Sequence, residues 1–508
     1  MSNYVAGAAD SPVSTHTTAD AAAAQKTVVE YAAPVAPALN EETTFLSGLN
    51  PDGTLALYSY AAWNNDRPAT YTGGYTLAYK WHADGSAPTA GTPGGIVTYA
   101  FNAASGWNAD ETAAFTAALT LWSAVANISF SLTSDYGHAG IQFTRGSDDR
   151  AYADSDFAPL TQDTGRTDGN ELLRLEQSKV SIDTSVAGFG PIGSFSGPNN
   201  IFSRSGGYPL HTILHEIGHA IGLGHGGPYN GTKVASQQYG PYDTRLYSLM
   251  SYFNNSSANQ YTPVHSTFWN SRYPITPMIA DILAIQRIYG AATDTPLTDV
   301  TFGYNTTISG PVANFFDFNT NTTPVVTLWA AGSNNALDLS NTSDATINLN
   351  PGTFSSTHGL TNNIAIAYDT RIGRLVGSAG GTTVTGNDGG NHIDGAGGDD
   401  VIHGGSGNDT LLGGTGADRI YGGGGVNTIT GGSESDTAGY ALAWSTYAIT
   451  RNGDGSLLIT GGGVSDTLRE IELLEFADQT IAVTSLGAGA ILGGDAGTGA
   501  QMPSQEEQ

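Results

Sequence analysis

Apolar positions along this chain follow a helical period in some stretches and cluster in short β-type runs in others. Phe115, Ala118, Leu119, Trp122 and Val125 fall on one face of a helix predicted over about Asp110–Ala126. Ile96–Phe101, bounded by Gly94-Gly95 and Asn102, is β-branched and aromatic and reads as a strand, as do Ile128–Leu132 and Ile141–Thr144. A second helix is expected to begin near Pro209, because proline suits a first helical turn. A third is expected at Thr276-Pro277, with Thr276 as N-cap and Met278, Ile282, Ile285 and Ile288 turned inward. Residues 1–40 are rich in Ala, Ser, Thr and Pro without a hydrophobic period and read as a disordered leader.

Beyond Gly290 the pattern changes. No Lys or Arg lies between Arg287 and Arg371, and Thr, Asn and Ser separate short apolar runs. From Gly386 to Gly439 a nine-residue period takes over. Its sixth position reads Asn391, Asp400, Asp409, Asp418, Asn427, Asp436, and its eighth reads Ile393, Ile402, Leu411, Ile420, Ile429, Ala438. A flexible linker has no reason to place an aliphatic residue at every ninth position. The aliphatic residue belongs on a short strand packed inside a coil. Glycine turns aim carbonyls inward, and the sixth-position carboxylate adds a hard anionic oxygen suited to Ca²⁺. The expected calcium ligands are Asn387, Gly389, Asn391, Ala396, Gly398, Asp400, Gly404, Gly405, Gly407, Asp409, Gly413, Gly414, Gly416 and Asp418. One unit earlier, Thr382 stands where a carboxylate belongs, so the calcium array is expected to start at 386. Tyr447–Thr450 and Leu457–Thr460 read as a hairpin around Asn452-Gly453-Asp454-Gly455. The chain thus divides into a leader (1–40), a mixed α/β domain (41–290), a repeat domain (291–440) and a C-terminal β cap (441–508).

The densest chemistry lies in His215-Glu216-Ile217-Gly218-His219-Ala220-Ile221-Gly222-Leu223-Gly224-His225, which fills every fixed position of H-E-x-x-H-x-x-G-x-x-H. On a helix His215 and His219 are one turn apart on one face, so two imidazoles can reach one ion. Glu216 is placed to take a proton from an attacking water. Gly222 can adopt the positive φ that ends the helix and returns His225 as a third ligand. Three nitrogens leave a coordination position open, as catalytic zinc requires. His211, one turn earlier, has no partner at the right offset and reads as a helix-face histidine.

Downstream, Tyr247-Ser248-Leu249-Met250-Ser251-Tyr252 carries one of only four methionines. Together these segments resemble the metzincin peptidases, and within them the serralysins. The nine-residue period likewise resembles the calcium repeat of RTX proteins. The resemblance implies a zincin (metzincin) α+β catalytic domain followed by a parallel β-roll. It implies that a methionine turn floors the zinc site. It also implies that Tyr252 is a switchable zinc ligand whose hydroxyl helps hold the tetrahedral oxyanion. A secreted zinc endopeptidase acting on protein and peptide substrates follows, calcium-stabilised, with Glu216 as general base. Export by type I secretion, a proteinaceous inhibitor as partner, and a monomeric state are further expectations. The alternative from another class is a non-enzymatic RTX surface-layer or adhesion protein with a relict zinc site.

Composition narrows the partners. The formal net charge is -28, from 18 Lys plus Arg against 46 Asp plus Glu, which disfavours nucleic acid and anionic membranes. There is no cysteine, so no disulfide can supply stability outside the cell, and divalent cations are the natural substitute. No run of about 18 apolar residues predicts a membrane anchor. The first basic residue is Lys26, which does not fit a secretory n-region.

Overall fold

The computed structural model describes residues 34–61, 76–82, 88–157, 170–191, 204–254, 259–486 and 490–492. All of these belong to one compact unit, residues 31–508; residues 1–30 lie outside the described residues.

The first half is mixed α/β. Six strands form one sheet: β1 (Thr76–Lys80), β2 (Gly95–Phe101), β3 (Ile128–Leu132), β4 (Ile141–Thr144), β5 (Ala151–Phe157) and β6 (Asn170–Ile182), ordered β1-β6-β4-β2-β3 with β5 on β6. All pairings are parallel except β5 with β6, which is antiparallel from Ala151↔Ile182 onward. Among the described residues four α-helices accompany the sheet: α1 (Pro37–Ser47), α2 (Ala109–Val125), α3 (Tyr208–Ala220) and α4 (Ile279–Tyr289). The strands expected at 96–101, 128–132 and 141–144 and the helix at 110–126 are all present.

Helix α2 starts with a capping box in which the Asn108 side chain accepts from Glu111 N–H and Glu111 returns a bond to Asn108 N–H. The same Glu111 is fully buried and pairs with Arg145 at 2.6 Å, so the cap is welded to the end of β4. Phe115, Ala118, Leu119, Trp122 and Val125 are buried, and Trp122 Nε1 donates to the Leu214 carbonyl of α3 at 3.2 Å.

Two expectations require correction. The leader does not extend to residue 40: α1 begins at Pro37 and buries Leu39, Phe45 and Leu46. The cap of α4 is Met278 rather than Thr276, because Asp281 in the first turn accepts from Met278 N–H at 2.8 Å. Thr276 Oγ1 instead accepts from Thr327 N–H at 2.8 Å, and Ile275 N–H donates to Val325 O at 3.1 Å. The approach to α4 is therefore tied to the first strands of the second half.

That second half is built of β-strands, apart from a short helix at Ala313–Phe316, and coils into two stacked sheets of ten strands each. Within the repeats each strand pairs in parallel with the one a full turn later: His392↔Thr410↔Thr428 in one sheet, Val401↔Arg419↔Thr437 in the other. A turn is thus two nonapeptides, one strand per sheet. Ile393, Ile402, Leu411, Ile420, Ile429 and Ala438 point between the sheets and are at most 1% exposed, as the eighth-position pattern predicts. The hairpin appears as Ala448–Arg451 paired antiparallel with Leu457–Gly461. Among the described residues no helix is long and apolar enough to cross a membrane.

Candidate metal centre and repeat sites

Helix α3 carries the motif. His215 and His219 project from one face, and the chain turns at Gly222 with φ 107°, returning His225 to them. A side chain at Gly222 is excluded twice: the backbone is left-handed, and a Cβ would lie 2.3 Å from the Tyr79 carbonyl of β1. The orphan carbonyls at the helix end are satisfied from outside. Trp81 Nε1 donates to Ala220 O at 2.8 Å and the Tyr289 hydroxyl to Ile221 O at 2.8 Å.

The three imidazoles converge. His225 Nε2 lies 3.2 Å from His215 Nε2 and 3.0 Å from His219 Nε2, and the three form a candidate metal cluster. Tetrahedral nitrogen ligands at about 2.0–2.1 Å from an ion would be roughly 3.3 Å apart, so these donors fit zinc. Nδ1 of His215 faces the Leu249 carbonyl at 2.9 Å and Nδ1 of His219 faces the Leu223 carbonyl at 2.8 Å. Those acceptors fix the tautomer that leaves Nε2 with a free lone pair. Burial lowers all three imidazoles, His219 to about 4, so they are neutral and competent to ligate at ordinary pH. His211, as expected, is turned elsewhere: its Nδ1 is 3.1 Å from the Pro274 carbonyl.

Glu216 is buried, and desolvation pushes its carboxyl up to about 8, opposed by a hydrogen bond from the Ala153 backbone of β5. The same environment would hold a general base near neutrality once a cation stood beside it. Tyr252 packs its ring 4.5 Å from the His225 ring, and burial followed by the charge of Glu216 raises its hydroxyl to about 12, keeping it a neutral donor. Met250 is fully buried beneath α3, and Gly218 allows it there, since a Cβ would meet Met250 Sδ at 2.7 Å. The centre opens on a cleft of about 1050 Å³ lined by β5 from Ala151 to Ser155, together with His215, Glu216, His219, His225 and Tyr252.

Sequence reasoning missed two supports. Asp281 of α4 accepts from the Ser248 hydroxyl (2.6 Å), Leu249 N–H (2.7 Å) and Met278 N–H (2.8 Å), pinning the loop whose Leu249 carbonyl orients His215. Asp243 accepts from the Tyr229 hydroxyl (2.7 Å) and the Ser251 hydroxyl (2.6 Å), and the Tyr229 oxygen in turn accepts Tyr252 N–H at 3.2 Å. An aspartate in a first helical turn or a loop carries no local signal of such distant partners.

In the repeats, Asp400, Asp409 and Asp418 each place one carboxylate oxygen on a backbone N–H eighteen residues earlier. Their second oxygens, with those of Asp436 and Asp466, are buried without a hydrogen-bond partner. Five orphan buried carboxylate oxygens are a donor set for hard cations. The carbonyls of Ala396 and Gly405 each accept one backbone N–H and retain a second lone pair. At Asn387 and Asn391 the side chains bond within the fold. Asn387 Nδ2 donates to Leu349 O and Ile372 O, and its Oδ1 accepts from Gly389 N–H. Asn391 Oδ1 accepts from Asn387 N–H, and its Nδ2 donates to Ile372 O. The Gly389 carbonyl is taken by Arg371. The side chains of Asn387 and Asn391 and the carbonyl of Gly389 are thus engaged by protein groups.

Comparison with known proteins agrees with both halves. The RTX calcium-binding nonapeptide repeat matches residues 376–411 and 403–438. A metallopeptidase AprA of Pseudomonas marginalis is 33% identical over 286 residues, covering 55% of this chain and 54% of that protein. A serralysin of Photorhabdus sp. (strain Az29) is 32% identical over 285 residues, 54% of this chain and 52% of that one. The chain is serralysin-like, with RTX repeats. Serralysin C of Dickeya chrysanthemi is 35% identical over a shorter 178 residues, 34% of this chain and 35% of that protein. The chain spans about half the length of the curated relatives it matches.

Proposed function

We propose that this chain is a secreted, zinc-dependent endopeptidase of the metzincin fold, stabilised by calcium in its repeats. The observation that carries the reading is the convergence of three neutral Nε2 atoms, 3.0–3.2 Å from His225 to its partners, beside a buried carboxylate. His215, His219 and His225 would hold Zn²⁺, which when bound supplies Lewis-acid polarisation of the scissile carbonyl and of water. Glu216 takes the proton of the attacking water and passes it to the leaving amine. Tyr252, a neutral phenol at the cleft wall, donates to the developing oxyanion. Among the described residues strand β5 pairs on one side only, with β6, so an extended peptide can lie along its other edge, as in strand addition.

Protein substrates, the extracellular compartment and export by the type I route complete the reading, with a proteinaceous inhibitor as a candidate partner. The serralysin-like relatives support the protein substrates and, with the calcium repeats, the extracellular compartment. The non-enzymatic alternative has no observation in its favour, because Glu216, all three histidines and Tyr252 are present together at one cleft. The test is Glu216→Gln. It should retain one zinc per chain and lose casein hydrolysis by about 10²–10⁴-fold. Retained zinc with undiminished hydrolysis would remove Glu216 as the base, and a wild-type chain with zinc but no peptidase activity would remove the enzymatic reading.

A further inference from the structure

Sixth-position residues of the repeats stack in two columns. Successive nonapeptides feed alternate sheets, so the columns run along opposite edges of the coil. The two edges differ. On one, Thr382, Asp400, Asp418, Asp436 and Glu472 follow in order, each N–H donating to the next carboxylate: Asp400 to Asp418 and Asp418 to Asp436 at 2.9 Å, and Asp436 to Glu472 at 2.9 Å. Asp400, Asp418 and Asp436 are at most 1% exposed, and each keeps an orphan Oδ2 aimed into the turn. On the other edge the column reads Asn391, Asp409, Asn427, Asp466. Amides here alternate with carboxylates, and Asn427 Nδ2 donates to Asp466 Oδ1 at 2.9 Å.

At the head of this second edge a cation is already in place. The Arg371 guanidinium donates to the carbonyls of Gly389 and Gly390, the latter at 2.7 Å. Asn387 Nδ2 reaches Ile372 O at 3.0 Å and Asn391 Nδ2 reaches it at 3.2 Å. Inward-facing turn carbonyls are what a hard cation would take. A guanidinium supplies the same charge with donors in a fixed plane and cannot be removed by a chelator.

We propose that Arg371 is a built-in replacement for a calcium ion, closing the entrance turn of the coil without metal and leaving calcium to bind chiefly along the Asp400–Asp418–Asp436 edge. This rests on the calcium reading of the repeats. Metal-dependent turns then stack onto a metal-independent one, which gives the coil a defined starting point.

The test is hydrogen exchange on the full chain in EGTA and in millimolar calcium, with metal content read in parallel. In wild type, residues 386–394 should stay protected in EGTA while 401–437 exchange. Arg371→Ala should lose the protection at 386–394 in EGTA. The double variant Arg371→Ala/Asn391→Asp, which puts a carboxylate where the guanidinium was needed, should bind one more calcium per chain than wild type. Wild-type exchange at 386–394 as rapid as at 401–437 in EGTA would overturn the proposal, as would an unchanged calcium count in the double variant. A wild-type chain that binds no calcium at all would instead remove the reading of the repeats beneath it.

Discussion

Asp281→Ala offers a sharp measure of how the metal centre is held. Three donors end on this one carboxylate, at 2.6, 2.7 and 2.8 Å, and it is fully buried. The Ser248 hydroxyl can rotate to another acceptor, but the N–H groups of Leu249 and Met278 cannot. Two stranded buried donors at about 1–3 kcal/mol each, one of them also the cap of α4, give an expected loss of roughly 3–5 kcal/mol. Removing a buried carboxylate returns part of this, because desolvation pushes Asp281 up to about 6. Asp281→Asn keeps the shape and one acceptor and should cost about half as much. Leu249 also presents the carbonyl that orients His215, so zinc affinity should fall about 10–100-fold in the alanine variant. Denaturant unfolding of the zinc- and calcium-loaded chain measures the first effect and chelator competition the second. The acid is protonated more readily in the folded than in the unfolded chain, so its contribution to stability declines as pH rises from about 4 to 6, and Asp281→Asn should flatten that decline. Unchanged stability and zinc affinity in Asp281→Ala would refute the reasoning.

Other perturbations read other parts of the molecule. Gly222→Ala forces a β-carbon into a left-handed position 2.3 Å from a carbonyl, and should cost at least about 2 kcal/mol and weaken zinc retention by displacing His225; wild-type zinc content after dialysis would contradict this. Leu411→Ala hollows the space between the stacked sheets and should destabilise the coil by about 2–5 kcal/mol, seen as a higher calcium requirement for the β signal in circular dichroism. Burial pushes Asp400 up to about 8 and Asp418 to about 6 in the metal-free coil. The metal-free coil should therefore lose stability as pH rises through that range, while apparent calcium affinity increases and protons are released on binding; titration calorimetry in buffers of different ionisation enthalpy at pH 6 would detect the release.

Much of this was legible because the signals were local. The histidine spacing, the glycine turn and the eighth-position aliphatics each depend on periods that a helix or a coil imposes directly on sequence. Two of the strands that line the cleft, β5 and β6, were not legible. Strand β5, Ala-Tyr-Ala-Asp-Ser-Asp-Phe, lies beside the cleft, and none of its residues from Ala151 to Asp156 is buried. Strand β6 changes partner midway, from β1 at Asn170–Arg174 to β4 at Ser178–Ser181, and buries Ser178 fully between Leu175 and Val180. Pairing of this kind replaces alternation with context. The surroundings of Asn387 and Asn391 were hidden for a related reason: their positions fit the repeat, but their side chains bond to Ile372 O and Arg371 bonds to Gly390 O, both partners lying outside the repeat.

The bond from Thr327 N–H to Thr276 Oγ1 ties one of the first strands of the coil, Val326–Leu328, to the segment leading into α4. Met278 and Asp281 follow within that helix start, Asp281 grips Leu249, and Leu249 faces His215. The coil is thus the far abutment of an arch whose keystone is His215, the proposed zinc ligand. Cutting the chain after α4 would leave every motif residue in place and still remove the footing on which His215 is aligned.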